Sequence, residues 1–242
     1  MEDMEELTTG VRYAVTDRHG GVSAPPYDSR NLGGATADDY QDVLRNRELT
    51  ARRFGLAPDR VVWMRQVHSA TVARVSGPWA AEVPELDAVF TTEPGLALAA
   101  LGADCAPVLL ADPVARMVGA AHSGRVGTLT GVVPELVAAM AAAGAEPGRM
   151  TALVGPMACG RCYEVPAAMR EESAAVLPEV RSTTRQGTPA LDLRAGITAQ
   201  LARAGVAAVR QDARCTIEDA DLFSHRRDQP TGRFAAYVWL EA

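Results

Sequence analysis

The stretch LALAALGADCAPVLLADPVARMVGAA, residues 96–121, determines the fold class that we expect. Short apolar runs lie within it at 96–101, 107–111 and 117–121, and Gly, Asp and Pro residues separate them. Such runs between turn signals are typical of strands that are buried on both faces. Periodicity alone does not distinguish a buried strand from a segment of buried helix. We predict strands, which makes the middle third of the chain rich in β-structure.

Segments with helical character and further apolar runs lie on both sides of this middle third. We predict helices at about 39–54, 132–143, 167–177 and 191–204, and further strands at 61–67, 86–91, 151–154 and 234–240. Asp38 and Asp39 can cap the first helix, and Gly55 can end it. No long Pro-, Gly- or Ser-rich linker divides the chain. The sequence therefore predicts an α+β (mixed α/β) fold in a single domain, residues 1–242.

The charge balance restricts the classes of partner. The formal net charge is −6, which disfavours nucleic acid, because binding to a duplex relies on basic surface. All 24 basic residues are Arg, so a Schiff-base lysine and the lysine of a phosphate loop are both excluded. No apolar run is long enough to span a bilayer, and the acidic start, Met1 to Glu6, does not look like a secretory signal. We therefore expect a cytoplasmic protein with neither a membrane nor a nucleic acid as partner.

The chain has four Cys and four His residues, and these counts limit its metal chemistry. Cysteines in a cytoplasmic chain of this length indicate metal binding or catalysis rather than a disulfide scaffold. A blue-copper centre already uses two His and one Cys, and a multicopper oxidase needs several more His for its other copper ions. Four histidines cannot supply such a set.

Three motifs each place a metal-capable side chain at the end of a predicted strand. They are Arg-Gln-Val-His ending at His68, Gly-Ala-Asp-Cys ending at Cys105 and Gly-Ala-Ala-His ending at His122. Two imidazoles and a thiolate make a natural zinc set, and three protein ligands leave a fourth position for water or substrate. Spacing in the sequence does not establish that the three side chains meet. If they meet, the pattern predicts a catalytic rather than a structural zinc site.

Six segments, taken in order, resemble the YfiH family, which is also called the laccase-domain or polyphenol oxidase family and the peptidoglycan editing factor family. The segments are TDRHGGVSAPPYDSRNLG (16–33), RQVHSATV (65–72), GADCAPVLLAD (102–112), GAAHSGRVGTLTGVV (119–133), GPMACGRCYEV (155–165) and CTIEDADLFSHRRDQPTGRFAAYVWL (215–240). The resemblance implies a mixed β-sheet core flanked by helices. It also implies a zinc ion bound by His68, Cys105 and His122.

The resemblance further implies purine nucleoside chemistry, with a nucleoside and phosphate as small-molecule partners. The reactions are phosphorolysis of adenosine, inosine or methylthioadenosine, and deamination of adenosine. The older family name implies copper-dependent phenol oxidation, so copper is the alternative cofactor. The preferred nucleoside and the oligomeric state do not follow from the sequence.

Several other residues are candidates for the site. We predict Asp104 and Cys105 as catalytic residues, with Asp104 either a proton donor or a carboxylate that supports the metal ligands. Candidates for substrate binding are Arg18, Gln66, Arg125 and Tyr163. The family commonly has Trp-Arg after the Gly of its AAH motif, whereas here Arg125 stands one position early and Val126 takes the usual Arg place.

Other readings of these motifs stay open. Cys105 can act as a nucleophile with His122 as its base, which predicts a hydrolase acting on a peptidoglycan precursor. A non-enzymatic binding domain stabilised by zinc is a further alternative. Cys159 and Cys162 form a C-x-x-C pair without a thioredoxin-like context, and as a zinc clip they lack a clear second pair, since only Cys215 remains. We interpret their loop as part of the pocket lining.

Overall fold

The computed structural model describes residues 4–242, and two β-sheets form the centre of the fold. The strands are β1 (Glu5–Thr8), β2 (Val11–Val15), β3 (Val61–Val62), β4 (Val72–Arg74), β5 (Ala88–Thr91), β6 (Ala97–Gly102), β7 (Ala106–Asp112), β8 (Met117–Ser123), β9 (Thr151–Val154), β10 (Arg181–Thr183), β11 (Pro189–Leu191), β12 (Ala208–Gln211) and β13 (Phe234–Leu240). The helices are α1 (Tyr40–Arg53), α2 (Arg125–Thr130), α3 (Val132–Ala142), α4 (Ala167–Val176) and α5 (Leu193–Arg203). The acidic N-terminal stretch considered above begins at Met1, and its first three residues lie outside the described range.

Both large sheets are mixed. The first has the order β1-β2-β13-β6-β3, and the second has the order β12-β9-β7-β8-β5-β4. Pairing is antiparallel in the interior of each sheet and at the β1 edge of the first sheet. It is parallel at the other three edges, where β3 joins β6, β12 joins β9 and β4 joins β5. The last strand, β13, lies between β2 and β6, with Val238 opposite both Tyr13 and Leu98. A short hairpin of β10 and β11 lies apart from the two sheets.

The two sheets pack face to face because successive side chains of a strand point to opposite sides. In β6, Leu98 and Ala100 join Leu109 and Val118 of the second sheet in one buried cluster. Ala97 and Ala99 of the same strand point the other way, into a cluster that includes Phe54 at the end of α1. The first sheet is therefore covered by the second sheet on one face and by α1 on the other.

The outer face of the second sheet is covered by α3 and α5. Val108 and Leu110 of β7 share a buried cluster with Leu136 of α3 and Ile197 of α5. Because both faces are covered, all seven residues of β7 and of β8 are buried. This explains why these strands appear in the sequence as continuous apolar runs rather than as alternating ones.

The predicted fold class, a mixed β-sheet core flanked by helices, is confirmed. The capping predictions for α1 also hold, since the Asp39 side chain accepts a hydrogen bond from the Gln41 N–H and Gly55 follows with a positive φ of 66°. The strand predicted at 61–67 is wrong beyond Val62. The short strands β1, β2, β4, β10, β11 and β12 were not predicted, because so few residues give little periodic signal.

Among residues 4–242, no helix combines the length and the apolar character that crossing a bilayer requires.

Candidate metal centre

The side chains of His68, Cys105 and His122 meet near the ends of β6 and β8 and the start of β7. Their potential ligand atoms all lie within 4.8 Å of one another. The Cys105 Sγ lies 3.8 Å from the His68 Nε2, and the two imidazole ring centres are 4.8 Å apart. His122 is buried, Cys105 is half-buried and His68 is exposed. The group therefore has a closed side in the protein and an open side toward solvent.

Each of the three residues is positioned by a different local structure. His122 belongs to β8 and lies opposite Pro107 of β7. Cys105 follows Asp104 in the tight connection from β6 to β7, where Asp104 has a positive φ of 91°. His68 lies in the loop after β3 and also has a positive φ, of 63°. Residues other than glycine rarely adopt a positive φ. Those that do are often found at functional sites.

Asp87 holds two of these elements together, and sequence reasoning missed it. Its carboxylate is fully buried and accepts a 2.8 Å hydrogen bond from the His122 Nδ1. It also accepts hydrogen bonds from the backbone N–H groups of Val67, His68 and Ser69 and from the Ser69 hydroxyl. These bonds hold residues 67–69 beside the start of β5, and Arg65 forms an isolated bridge with Glu85, so the predicted strand at 61–67 does not continue along β6. The signal in the sequence was a single Asp within the otherwise apolar strand that we predict at 86–91.

The Asp87 contact determines how His122 faces the cavity. A carboxylate bound to one ring nitrogen orients the ring, so that the other nitrogen, Nε2, can act as a ligand once it releases its proton to an incoming metal. Burial on its own raises the pKa of Asp87, but the hydrogen bonds from His122 and Ser69 outweigh it and lower that pKa to about 2. Asp87 is therefore a permanent negative charge behind His122.

The Cys105 thiol is activated by its neighbours. Burial on its own raises the pKa of Cys105, but His122 and His68 outweigh it and lower that pKa to about 6. Burial lowers the pKa of His122, yet the Cys105 thiolate and Asp87 outweigh it and raise that pKa to about 9. At neutral pH the structure thus favours a Cys105 thiolate, which is the form that binds a metal or acts as a nucleophile.

The backbone leaves room for a group at this position. A Cβ atom on Gly124 would lie 2.6 Å from the Cys105 Sγ and 2.8 Å from the His68 Cδ2, so only glycine fits beside these ligand atoms. A nitrogen, nitrogen, sulfur donor set that is closed on one side and open on the other fits a zinc ion with an exchangeable fourth position. The residues that are present therefore fit the metal that the resemblance implies.

A cleft of about 820 Å³ opens from the three ligand residues. Its walls include two aromatic side chains, Tyr40 and Trp63, and the guanidinium groups of Arg47 and Arg233. The Arg47 guanidinium lies 3.9 Å from the ring centre of Trp63. A pocket that is lined by aromatic rings and cationic groups suits a small anionic or heterocyclic ligand.

Gln66 and Asp104 both adjoin the centre, but their polar atoms have protein partners. The Gln66 amide donates to the Leu101 carbonyl and accepts from the Leu101 N–H, so it fixes the end of β6 while bordering the cleft. Asp104 accepts hydrogen bonds from the hydroxyls of Thr216 and Ser224 and from the Arg226 N–H. These contacts suit a carboxylate that positions the Cys105 loop, which is the second of the two roles considered for it.

Arg18, the candidate in the N-terminal motif, lies outside the cleft lining. Its side chain donates to the Asp28 carbonyl, forms ion pairs with Asp28 and Asp228, and lies over the ring of Phe223. With these partners, the structure gives Arg18 a role in joining the N-terminal loop to the C-terminal segment.

Arg125 and Tyr163, the remaining candidates for substrate binding, interact with each other near the centre. Arg125 is the first residue of α2, directly after Gly124. Burial and Cys105 raise the pKa of the Tyr163 hydroxyl, whereas Arg226 and Arg125 oppose the rise. The Arg226 guanidinium also lies 5.1 Å from the Tyr163 ring centre. Tyr163 is therefore near enough to both Cys105 and Arg125 to interact with their charges, although neither Tyr163 nor Arg125 belongs to the lining of the 820 Å³ cleft.

The mixed α+β fold and the cluster of two imidazoles and one thiolate place the chain in a known class. It belongs to the family described as multi-copper polyphenol oxidoreductase laccase, whose model matches residues 12–241.

The chain is also similar to a curated relative and to solved structures. The chain is 56% identical over 242 residues to a purine nucleoside phosphorylase of Streptomyces coelicolor, with 100% of both chains covered. It is 32% identical to YlmD from Geobacillus stearothermophilus, whose crystal structure superposes with a TM-score of 0.90 and covers 98% of this chain and 94% of that one. The crystal structure of the hypothetical protein YfiH from Bacillus licheniformis is 28% identical, with a TM-score of 0.87 and coverage of 96% and 93%. The predicted membership of the YfiH family is thereby confirmed.

Proposed function

We propose that this protein is a zinc-dependent purine nucleoside phosphorylase, which takes adenosine, inosine or methylthioadenosine and phosphate as substrates. The observation that carries the proposal is that cationic side chains without carboxylate partners face the same cleft as the metal-ligand set. The name of the Streptomyces relative supports the same reaction.

Arg233 and Arg47 are those cationic side chains. The Arg233 Nη1 donates only to the carbonyls of Thr231 and Gly232, and the Arg47 Nε donates to the Leu32 carbonyl. Within residues 4–242, neither guanidinium forms an ion pair with a carboxylate. A guanidinium that is removed from water without a counter-charge is costly, and a bound phosphate supplies that charge with matching geometry.

The electrostatics of both arginines agree with this assignment. Burial lowers the pKa of Arg233, and the negative charges of Cys105 and Asp104 partly oppose the effect, which places Arg233 beside the metal-ligand set. Burial also lowers the pKa of Arg47. An anion bound between the two guanidinium groups would raise the pKa of each and so favour the protonated form.

Gly33 and Gly34 bring the N-terminal loop against both arginines. A Cβ on Gly33 would lie 2.6 Å from the Arg233 Cγ, and a Cβ on Gly34 would lie 3.3 Å from the Arg47 Nη2. The glycines thus allow the backbone to approach both side chains closely. Gly33, the last residue of the N-terminal segment 16–33, and Gly34 both form part of this cleft wall.

The chemistry of phosphorolysis suits these groups. A phosphate oxygen forms a bond to the sugar C1′ while the bond from C1′ to the purine nitrogen breaks, and the purine leaves with the electron pair and takes a proton. In our proposal Arg47 and Arg233 orient the phosphate, which raises its effective concentration at C1′. The exposed ring of Tyr40 offers a face on which a purine can stack, while Trp63 supports the Arg47 guanidinium. Tyr163 and Arg125 stay predicted contacts to the substrate.

His68, Cys105 and His122 are the residues that would hold the metal. When bound there, zinc supplies Lewis-acid polarisation of a nitrogen or oxygen of the substrate. Copper is the alternative ion for the same donors, since imidazole and thiolate bind both metals. A multicopper centre is not proposed, because the chain has four histidines in all.

The test is chromatography of adenosine incubated with the purified, zinc-loaded protein, with and without phosphate. We expect adenine and a ribose phosphate, and only when phosphate is present. Formation of inosine in both conditions would instead indicate deamination, an activity that the names of the reported relatives do not mention. Recovery of intact adenosine, inosine and methylthioadenosine in the presence of phosphate would refute the proposal.

A second candidate function rests on the Cys105 thiolate beside His122. The lowered pKa of Cys105, about 6, is typical of a nucleophilic cysteine paired with a histidine. Alkylation with iodoacetamide separates the two functions. Rapid modification of Cys105 in the zinc-loaded protein would favour a cysteine hydrolase acting on a cell-wall precursor, and protection of Cys105 would favour the metal centre.

A further inference from the structure

A second group of metal-capable side chains lies outside the centre described above. The ligand atoms of Cys159, Cys162, Cys215 and Glu218 all lie within 4.8 Å of one another. The three thiols are free and form no disulfide. Cys215 is buried, Cys159 and Cys162 are half-buried, and Glu218 is exposed. In the sequence the C-x-x-C pair lacks a clear second pair of ligands. In the structure Cys215 and Glu218 form that second pair.

The four residues form two pairs with the same local geometry. The Cys162 N–H donates to the Cys159 carbonyl at 2.9 Å, and the Glu218 N–H donates to the Cys215 carbonyl at 3.0 Å. Each turn brings two side chains that are three positions apart to the same side. Two ligand pairs on two separate turns, each with two residues between its ligands, match the spacing of a tetrahedral structural zinc site. Here the Glu218 carboxylate stands where such sites have a fourth Cys or a His.

The backbone already supports a thiolate at this place. The Cys159 N–H donates to the Cys215 Sγ at 3.3 Å, which joins the two turns through a sulfur atom. Met157 and Cys215 pair as an isolated β-bridge, so backbone contacts also hold the two turns side by side. Hydrogen bonds from backbone N–H groups stabilise sulfur in its charged form.

The charges around the group suit a bound divalent ion. Arg185 is the cation that faces the group, since its Nη1 lies 3.5 Å from the Cys162 Sγ and its guanidinium forms an ion pair with Glu218. Metal binding replaces the protons of the thiols, so that three thiolates and one carboxylate surround the ion. The two charges of a zinc ion and the one charge of Arg185 then offset most of the four negative charges.

We propose that Cys159, Cys162, Cys215 and Glu218 bind a second zinc ion, which has a structural role. Four protein ligands leave no open position for a substrate, which distinguishes this site from the three-ligand centre. Three soft sulfur ligands select zinc over magnesium, calcium or manganese. Arg185 stays beside the filled site and offsets part of its negative charge.

The second site would stabilise the surroundings of Cys105. The Ala158 N–H, next to Cys159, donates to the Asp104 carbonyl, and the Thr216 hydroxyl, next to Cys215, donates to the Asp104 carboxylate. A metal that joins the two turns therefore fixes Asp104 from both sides. The proposal does not depend on the reaction that the first centre catalyses.

The experiment uses the Cys105→Ser variant of the full chain, in which the only thiols are those of Cys159, Cys162 and Cys215. We expect zinc to protect all three thiols from iodoacetamide and a strong chelator to expose them. We also expect cobalt(II) to give an intense thiolate-to-metal absorption band in the near ultraviolet. That band should be lost when Cys162→Ser is added, and Glu218→Gln should weaken zinc binding without unfolding the protein.

Three outcomes would overturn the proposal. The first is alkylation of the three cysteines at the same rate with and without zinc. The second is the absence of a thiolate band in the cobalt-treated Cys105→Ser protein. The third is a disulfide among these cysteines in protein that was purified with zinc, detected by mass spectrometry without reduction. Circular dichroism of each variant separates the loss of a ligand from the loss of the fold.

Discussion

The buried carboxylate of Asp87 lies 2.8 Å from the Nδ1 of His122, and it also accepts backbone hydrogen bonds from the loop that carries His68. One side chain thus orients two of the three proposed metal ligands. Replacement of a partner of this kind typically lowers metal affinity by about 10–100-fold.

We predict that Asp87→Asn lowers zinc affinity at the first centre by about 10–100-fold. The amide loses the negative charge behind His122 and cannot accept from all of the loop N–H groups. The measurement is competition for zinc against a chelator of known affinity. Asp112→Asn is the matched control, because Asp112 is also fully buried and accepts backbone hydrogen bonds, but at the far end of β7. Equal zinc affinity of Asp87→Asn and the wild type would contradict the role of Asp87.

We predict that Arg233→Ala and Arg47→Ala raise the KM for phosphate at least about 10-fold and change the KM for the nucleoside much less. Loss of one charge-assisted bond to phosphate corresponds to about 1.5–3 kcal/mol. Steady-state rates at varied phosphate concentration measure the effect. Arg45→Ala is the control on the same helix, since Arg45 is exposed and pairs with Glu48. If the phosphate KM is unchanged in both cleft variants, phosphate binds elsewhere, and Arg125 becomes the next residue to test.

We predict that Gly124→Ala reduces the zinc content of the first centre while the fold is retained. The added methyl group would lie 2.6 Å from the Cys105 Sγ, a distance that forces the ligand atoms apart. Elemental analysis after gel filtration measures the zinc that stays bound. Gly127→Ala, three residues further on, adds a methyl group whose nearest neighbour lies 3.5 Å away, so it should keep its zinc. The same loss of zinc in both variants would point to a general effect on α2 rather than to this contact.

The sequence allowed the strands at the centre of the fold to be predicted because burial on both faces made them continuous apolar runs. Residues 234–240, for example, form β13 as predicted. The short edge strand β12 has only one half-buried position among exposed ones and owes its pairing to β9, so no local pattern indicated it. Strand order depends on contacts between distant segments, and it could not be predicted from local pattern.

The sequence likewise allowed only some residues of the candidate site to be predicted. His68, Cys105 and His122 were recognised because their residue types bind metals, and the structure brings them together. Asp87, Arg47 and Arg233 were missed because an isolated Asp or Arg in a sequence looks like an ordinary surface charge. Their importance comes from burial, which is a property of the tertiary structure. Cys215 and Glu218 were not joined to the C-x-x-C pair for a similar reason, since more than fifty positions separate them from it.

Asp112 gives a prediction for the dependence of stability on pH. Burial on its own raises the pKa of Asp112, but hydrogen bonds from the N–H groups of Ala115, Glu146 and Val114 and from Arg149 outweigh it and hold that pKa below its usual value of 3.8. A carboxyl group whose pKa is lower in the folded than in the unfolded protein binds fewer protons when folded. Its contribution to the free energy of unfolding is therefore complete above about pH 5 and is lost as the pH falls through the folded-state pKa.

We expect Asp112→Asn to lower the free energy of unfolding by about 1.5–3 kcal/mol at neutral pH. Urea denaturation of both proteins from pH 7 down to pH 3 should show the difference shrinking below pH 4, and a difference that stays constant over that range would show that the charge of Asp112 does not stabilise the fold.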